Sequence, residues 1–589
     1  MTIDFNLRPV LVSLCIVLST CLGCGKSMTA VNHAESGSTY PWFQDYTDRA
    51  NLHFVHSVGP LGKYAFPEIM GSGAALFDYD GDGRLDLYLV QNAGPDSGLT
   101  NRLYHQEPDG TFRDVSDGSG LDIAGWGMGV AIGDVNNDGL PDLVLTEYGG
   151  VRLFLNQGHG KFIEATSEAG LSQPSQAGGY LPWATSASFI DYDRDGWLDL
   201  VVTFYVAYDP SRTCTGRDGK PDYCGPNDFP GSITRVYHNL GASISRQANT
   251  SGHRSVKFED VTDRCGLGQS PGKGLGVLCA DFNGDGWPDI FVTNDAQANR
   301  LWINQHDGTF VDQAMTMGVA FNETGQPQGN MGIAWQDIDG DGLTDLFVTH
   351  LTEETNTLWI QIAAKSFADR TVASGLVGHG QGTGFGTVLA DFDNSGWPSL
   401  AIANGRVVRG KPVSQKDAPD LPNYWLAYAE RNQLFANQGG KFTDISAQNP
   451  AFCGQPNVGR GLAWGSLNND GAIDLVVTTA GAPARLLKNV AKNRGHWLLV
   501  RAIEPLLGGR DAYGARIVIF AGGRQRVGWV TPGSSYLCSN DPRVHFGLGS
   551  ATIVDGIDVL WPEGQMKHFD GTDADRIVVL KKGAGTAMP

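Results

Sequence analysis

The sequence predicts an all-β protein, a seven-bladed β-propeller with an acidic loop between strands A and B of each blade, followed by a small β domain. Three observations predict it. A short acidic loop recurs seven times in the 589-residue chain, starting at Asp78, Asp134, Asp191, Asp281, Asp337, Asp391 and Ser466. Apolar runs of strand length flank every copy. A second hairpin follows each one, and its outer strands number seven only if the chain closes into a ring.

The N-terminus reads as an export signal over residues 1–24. Arg8 precedes an apolar run from Val10 to Leu22 that is too short to span a bilayer as a stable helix. The n-region is weak, since Asp4 offsets Arg8. The run ends at CLGCGKS, which resembles a bacterial lipobox with Cys24 as the lipidated residue, although Cys21 stands where that pattern prefers Leu. A membrane-anchored lipoprotein facing the periplasm or cell exterior is the expectation, with plain secretion the alternative. Residues 25–40 read as a tether, and no later run is long and apolar enough to cross a membrane. Six cysteines follow Cys24. Cys214 and Cys224, ten apart in a Gly/Pro/Asp loop, are expected to pair. Cys265, Cys279, Cys453 and Cys538 are left open between disulfides and thiols.

The propeller is expected over residues 41–492. Its best loops read DYDGDGRLD, DYDRDGWLD and DIDGDGLTD, and two more read DVNNDGLPD and DFNGDGWPD. Oxygens at positions 1, 3, 5 and 9, the carbonyl at 7 and a glycine at 6 suit a hard cation, because calcium takes about six to eight oxygens and the glycine lets the chain turn around it. The candidate ligands are Asp78, Asp80, Asp82, Arg84 (carbonyl) and Asp86; Asp134, Asn136, Asp138, Leu140 (carbonyl) and Asp142; Asp191, Asp193, Asp195, Trp197 (carbonyl) and Asp199; Asp281, Asn283, Asp285, Trp287 (carbonyl) and Asp289; and Asp337, Asp339, Asp341, Leu343 (carbonyl) and Asp345. Two copies are eroded. The sixth has Ser395 and Ser399 at positions 5 and 9; the seventh has Ser466 at position 1 and keeps Asn468, Asp470 and Asp474. About five to seven calcium ions are therefore expected. Bare Asx turns are the simpler alternative, but three or four carboxylates in one loop repel each other unless a cation joins them.

The loop starts are separated by 56, 57, 90, 56, 54 and 75 residues, a basal period with two insertions. Runs such as GVAIG and GVLCA precede the loops, and DLYLV, DLVVT and DIFVT follow them; these are strands A and B. Strand C reads RLYHQ, RLFLN, RVYHN, RLWIN, TLWIQ, QLFAN and RLLKN. Strand D carries F-x-[DE] six times after the loops, and its seventh copy, at Phe43, precedes them all. Residues 42–47 are thus expected to complete the last blade, closing the ring and protecting its edges. An EF-hand series is excluded: position 12 of the first loop is Leu89, and strands replace the helices.

From residue 493 to 582 the acidic loop disappears, and the strands read HWLLVRAI, ARIVIFAG, QRVGWVTPG, HFGLG, IDVLWPEG and DRIVVLKK. The blades resemble FG-GAP or VCBS repeats, with Phe385-Gly386 in GTGFGTVLADFD close to the literal form. The C-terminal run, with GHWLLV, YGARIVIFAGG, VHFGLGSA and IDVLWPEG, is similar to the ASPIC/UnbV domain. The two together resemble the cartilage acidic protein-like family and its bacterial relatives. That resemblance implies a calcium-binding, extracytoplasmic propeller without assigned catalysis.

The formal net charge is −20, and 22 of the 63 acidic residues lie in the seven loops, so much of the charge is local and open to neutralisation by bound cations. No basic stripe is present, which argues against a nucleic-acid partner. A membrane is expected only through the lipid anchor. A protein or glycan ligand is expected on the face opposite the acidic loops, where the two longest B–C connections, 205–232 and 405–432, project. Tyr223, Phe229, Tyr424, Trp425 and Tyr428 suit a binding surface or pack the loops down onto the propeller. His350, Arg406, Asp295, Glu353 and Glu354 are expected near the mouth of the channel. With no HExxH, P-loop or nucleophile elbow, the chain reads as non-enzymatic. The alternative is a propeller-type enzyme acting on an exported polysaccharide or small molecule.

Overall fold

Each acidic loop joins two antiparallel strands, and a second hairpin extends them to four. A computed structural model describes residues 40–173, 179–241, 255–378 and 382–588; the export segment, Cys24 and residues 25–39 lie outside them. In blade 1, strands A to D are Ala74–Phe77, Asp86–Leu89, Arg102–Gln106 and Phe112–Asp114. Among the described residues, seven sheets share this order. The remaining A strands are Gly127–Gly133, Ala184–Ile190, Gly274–Ala280, Ile333–Gln336, Gly384–Ala390 and Gly459–Gly465. Consecutive A strands touch, and the last touches the first, so the sheets form a closed ring.

Closure is made as the strand count requires. Phe43–Asp45 pairs antiparallel with Arg485–Asn489, Phe43 opposite Asn489, and is the D strand of the seventh sheet. The Arg485 Nε–Asp45 Oδ2 ion pair, at 3.0 Å, repeats the Arg300–Asp312 pair between strands C and D of blade 4, at 2.7 Å. Such half-exposed pairs contribute about 0.2–1 kcal/mol; the buried Phe43, edge-on to Phe392, adds apolar burial to the closure.

Two polar devices tie neighbouring blades. The threonine at the end of strand B accepts from a glycine N–H in its own blade and donates to the next one. Thr293 Oγ1 accepts from Gly276 N and donates to Met331 O, both at 2.9 Å; Thr349 does the same with Gly332 N and Phe385 O, at 2.9 and 3.0 Å. The second device is the Asn or Gln at the end of strand C. Its side-chain amide donates to the position-2 carbonyl of the preceding blade's acidic loop: Asn156 to Tyr79, Asn239 to Val135, Asn304 to Tyr192, Gln361 to Phe282, Asn437 to Ile338 and Asn489 to Phe392. These groups are buried, so each bond also spares a carbonyl the cost of being left unpaired.

The C-terminal domain holds two sheets. His496–Glu504 is the centre of one, paired in parallel with Arg576–Lys581; Arg516–Ala521 and Ile553–Leu560 form the core of the other. Met566–Asp573, largely polar and half-exposed, is a strand the sequence patterns do not single out, and the final strand, Thr586–Ala587, lies beyond the expected boundary at 582.

This domain docks on the ring and sends one segment down its axis. Cys538 and Ser539 pair in parallel with Ala74 and Ala75 of blade 1. Ser535 exchanges backbone hydrogen bonds with Ile333 of blade 5 at 2.6 and 2.9 Å, and its hydroxyl accepts from Thr387 N of blade 6 at 3.0 Å. Tyr536 is fully buried; its hydroxyl donates to Met70 O at 3.1 Å, and its ring stands edge-on to Phe385 with centroids 4.8 Å apart. Gly73, just before strand A of blade 1, leaves no room for a Cβ beside Leu537, and Gly129, on strand A of blade 2, leaves little. The axis is a packed core.

Candidate metal centres

All seven acidic loops share one backbone. Position 6 is glycine with φ between 71° and 90°, and position 4 is also left-handed: Gly81, Asn137, Arg194, Gly284, Gly340, Asn394 and Asn469. Glycine and asparagine tolerate this region best. The requirement at position 4 is legible in the sequence as a preference for Gly or Asn, but it emerges only when the seven copies are aligned.

The turn aims the candidate ligands at one another. The position-1 carboxylate accepts loop amides: Asp78 takes Gly81 N and Gly83 N at 2.8 and 2.9 Å, and Asp337 takes Gly340 N and Gly342 N at 2.7 and 3.0 Å. Position 5 caps position 7, as Asp138 does with Leu140 N at 3.0 Å and Asp285 with Trp287 N at 2.9 Å. The position-9 aspartates are buried and join the loop to strand C. Asp86 accepts Tyr79 N at 3.2 Å and Gln106 N at 2.8 Å; Asp289 accepts Phe282 N and Asn304 N at 3.0 and 2.9 Å. Each of these four oxygens thus has one backbone donor, leaving a second lone-pair direction for a cation.

The loops hold more negative charge than they compensate. Burial, reinforced by Asp80 and Asp78, pushes the Asp86 carboxyl up to about 8. Burial with Asp199 beside it does the same to Asp191, and burial with Asp339 and Asp337 does so to Asp345, each to about 8. Asp142 and Asp289 are raised well above the carboxylate range, mainly by burial. Asp191 Oδ1 and Asp339 Oδ1 are buried with no hydrogen-bond donor. Side-chain oxygens of Asp78, Asp80 and Asp86, and of Asp191, Asp193 and Asp195, lie within 4.8 Å of one another. A hard divalent cation fits these oxygens: it would neutralise the charge and occupy the orphaned acceptors.

The eroded loops are tied into the C-terminal domain instead. At loop 7, Arg543 is held by Asp541 through bonds of 2.8 and 2.7 Å and donates to Asn469 Oδ1 and Ser466 O at 2.6 and 3.2 Å. His545 Nε2 lies 3.0 Å from Gly471 O. A protein guanidinium sits at the one loop without a position-1 acid. At loop 6, Asp391 lies against Gly547, and Gly549 N donates to Asn394 O at 2.8 Å. The intact loops are touched as well: Arg510 Nη1 donates to Asn137 Oδ1 at 3.0 Å, and Arg516 Nη2 to Gly342 O at 3.2 Å. The acidic-loop face therefore carries the second domain.

The opposite face decides between the two readings the sequence left open. Tyr223, Phe229, Trp425 and Tyr428 are buried rather than displayed. The two long connections meet over the axis, where Tyr428 Oη donates to Asp222 Oδ1 at 2.6 Å and Tyr223 and Tyr424 hydroxyls lie 3.1 Å apart. Below them Phe66, Trp183, Tyr205 and Tyr208 complete an aromatic lid. The disulfide between Cys214 and Cys224 ties the first of these loops, while Cys265, Cys279, Cys453 and Cys538 are buried thiols. Nor do the expected channel-mouth groups converge. His350 is buried, with Nε2 3.0 Å from Thr357 Oγ1, and burial holds its imidazole down at about 3. Asp295 accepts the Tyr205 hydroxyl at 2.5 Å, Arg406 pairs with Glu430 at 2.8 Å, and Glu354 accepts Gly329 N at 2.8 Å. Glu353 lies at the surface, 3.6 Å from Arg217.

The FG-GAP-like repeat family matches residues 78–145, 134–202, 281–348 and 337–402, and the ASPIC and UnbV family matches residues 507–587. The chain is an FG-GAP-repeat protein with a C-terminal ASPIC/UnbV domain. Among named proteins it is similar to cartilage acidic protein 1 of Mus musculus, with 26% identity over 295 residues, and of Homo sapiens, with 26% over 299 residues. Each match covers 48% of this chain but 38% of the relative, so less than half of those proteins is represented. Among solved structures, an Agrocybe aegerita lectin recognising non-reducing terminal N-acetylglucosamine aligns with 67% of this FG-GAP protein and 89% of its own chain, at 17% identity and a TM-score of 0.37. BBS1N in complex with ARL6DN aligns with 77% and 99%, at 9% identity and 0.37.

Proposed function

We propose that this protein is a calcium-stabilised, non-catalytic extracytoplasmic propeller that presents a rigid surface to a protein or glycan partner, tethered through a lipid on Cys24. The observation that carries the reading is the convergence of Asp78, Asp80 and Asp86, and of Asp191, Asp193 and Asp195, within 4.8 Å, with the buried Asp191 Oδ1 and Asp339 Oδ1 lacking any donor. Calcium in loops 1 to 5 would join strand A to strand B and stabilise the folded state by mass action, since the ligand set does not exist in the unfolded chain. Because the C-terminal domain occupies the acidic-loop face, the partner is assigned to the opposite face, on the rim around the aromatic lid. The non-catalytic reading is supported by the structural bonds that occupy His350, Asp295 and Arg406. The Cys214–Cys224 disulfide suits an oxidising, exported location; among the described residues no helix is long and apolar enough to cross a membrane.

The test is elemental analysis with a chelation melt. Five or more calcium ions per chain and a lower melting temperature in EGTA are expected. An unchanged melt of protein shown to be metal-free would overturn the calcium reading and leave the loops as turns.

A further inference from the structure

The seven C strands differ at one position that faces the acidic loop. In blade 7 it is Lys488, whose charge acts on the position-9 Asp474. In blades 2, 4, 5 and 6 it is Leu155, Ile303, Ile360 and Ala436. In blades 1 and 3 it is His105 and His238. These two blades also have tyrosine at loop position 2 and aspartate at positions 1, 3, 5 and 9, a combination no other loop repeats.

The two histidines are placed alike. His105 Nδ1 lies 3.2 Å from Asp86 Oδ1 and 3.4 Å from Asp80 Oδ2; His238 Nδ1 lies 3.0 Å from Asp199 Oδ1 and 3.5 Å from Asp193 Oδ2. His105 is 8% exposed, and its Nδ1 is buried without a hydrogen bond of proper geometry to either oxygen. Tyr79 and Tyr192 stand edge-on to the imidazoles at 6.0 and 5.8 Å, fixing each ring at the same angle to its loop. Asp191, whose Oδ1 has no donor, clusters with Asp193 and Asp195, and Asp193 in turn clusters with Asp199 and His238. These separations have a chemical meaning. Ligands about 2.0–2.1 Å from a tetrahedral ion lie roughly 3.3–3.4 Å from one another. Calcium takes oxygen, whereas imidazole nitrogen beside carboxylates suits zinc and its neighbours.

We propose that the loops of blades 1 and 3 are mixed nitrogen–oxygen sites for a divalent transition ion of the zinc class. His105 with Asp80 and Asp86 forms one ligand set, and His238 with Asp193 and Asp199 the other. Loops 2, 4 and 5, lacking the imidazole, remain oxygen-only sites for calcium, so calcium offered alone fills all five intact loops, and only these three keep it when both ions are present. The proposal rests on the reading that the acidic loops bind cations at all. The same geometry would also suit a protonated imidazole serving as a built-in counter-ion, as Lys488 does, and the experiment separates the two.

Metal-stripped full-length protein is dialysed against Co2+ in excess Ca2+, and both ions are counted by elemental analysis alongside the visible absorption of cobalt. The wild type is expected to retain two cobalt ions per chain. His105→Leu and His238→Leu, which install the residue blade 2 already has there, should each lose one, and the double variant both, with the calcium count rising by one for each loop so converted to an oxygen-only site. Calcium without cobalt in the wild type would overturn this proposal alone and leave the counter-ion role. Binding of neither ion would overturn the calcium reading too. Two cobalt ions retained by a double variant with the wild-type circular dichroism would also sink it. Should the double variant not fold, the single variants and the wild-type cobalt spectrum, whose intensity separates a four-coordinate site from an octahedral oxygen shell, still decide.

Discussion

Replacing Asn304 by alanine removes one inter-blade hydrogen bond and two more within its own blade. Asn304 is 3% exposed. Its Nδ2 donates to Tyr192 O of the preceding blade at 2.9 Å and to Pro288 O at 3.1 Å, and its Oδ1 accepts His306 N at 2.9 Å. Three neutral bonds at about 1 kcal/mol each, with carbonyls left short of a donor in a dry junction, give an expected loss of about 3 kcal/mol. Asn437→Ala breaks the same set, to Ile338 O, Pro398 O and Gly440 N, each at 2.9 Å, and should cost as much. Blades 4 and 6 do not share these partners, so the double variant should be additive. Guanidinium denaturation followed by tryptophan fluorescence, with the midpoint shift multiplied by a common m-value, measures each loss. Losses below roughly 0.5 kcal/mol, the range of ordinary surface substitutions, would show that these amides do not hold the blades together.

Tyr536→Ala should destabilise the molecule by about 3–5 kcal/mol, the usual cost of emptying a buried aromatic site, and should free the C-terminal domain for proteolysis near residues 490–495. Wild-type resistance to trypsin in that variant would refute the role given to the axial segment. In metal-free protein, the carboxyls of Asp86, Asp191 and Asp345 are raised to about 8 in the folded state, well above their unfolded values. The folded chain therefore binds more protons between about pH 4 and 8, and its stability falls as pH rises through that window. Melts in EGTA should show a higher midpoint at pH 5 than at pH 8, and calcium should flatten the difference. Reducing the Cys214–Cys224 bridge, which closes a ten-residue separation, should cost about 2–3 kcal/mol by loop entropy, read as a lower melting temperature in reductant.

Much of the architecture was written locally. Loop chemistry repeats at a fixed spacing, strand runs flank it, and the F-x-[DE] signal at Phe43 stands out of order, so ring and closure follow from counting. The candidate ligands were legible for the same reason, since a cation loop is built within nine consecutive residues. Legibility failed where a residue's partner lies in another blade. Every C strand carries Asn or Gln near its end, from Gln106 to Asn489, yet the role of that amide depends on a carbonyl 77, 104 and 112 positions away in the preceding blade for Asn156, Asn239 and Asn304. Met566–Asp573 escaped notice because its polar, half-exposed face has no apolar alternation.

Sequence alone determined the all-β class, the number of loops, the order of the blades and the acidic pattern of each loop, because each depends on short-range spacing. Tertiary structure decided which surfaces remain open. Tyr223 and Trp425 could equally have faced a partner or the axis; packing against Tyr64, Tyr424 and Tyr428 turns them inward. Nothing in the run Gly533–Asp541 marks it as an axial plug, and Arg543 has no local sign of its place at loop 7. Those placements are set by how two separately patterned domains bury one another's apolar surface and satisfy each other's polar groups, which is a property of the assembled whole.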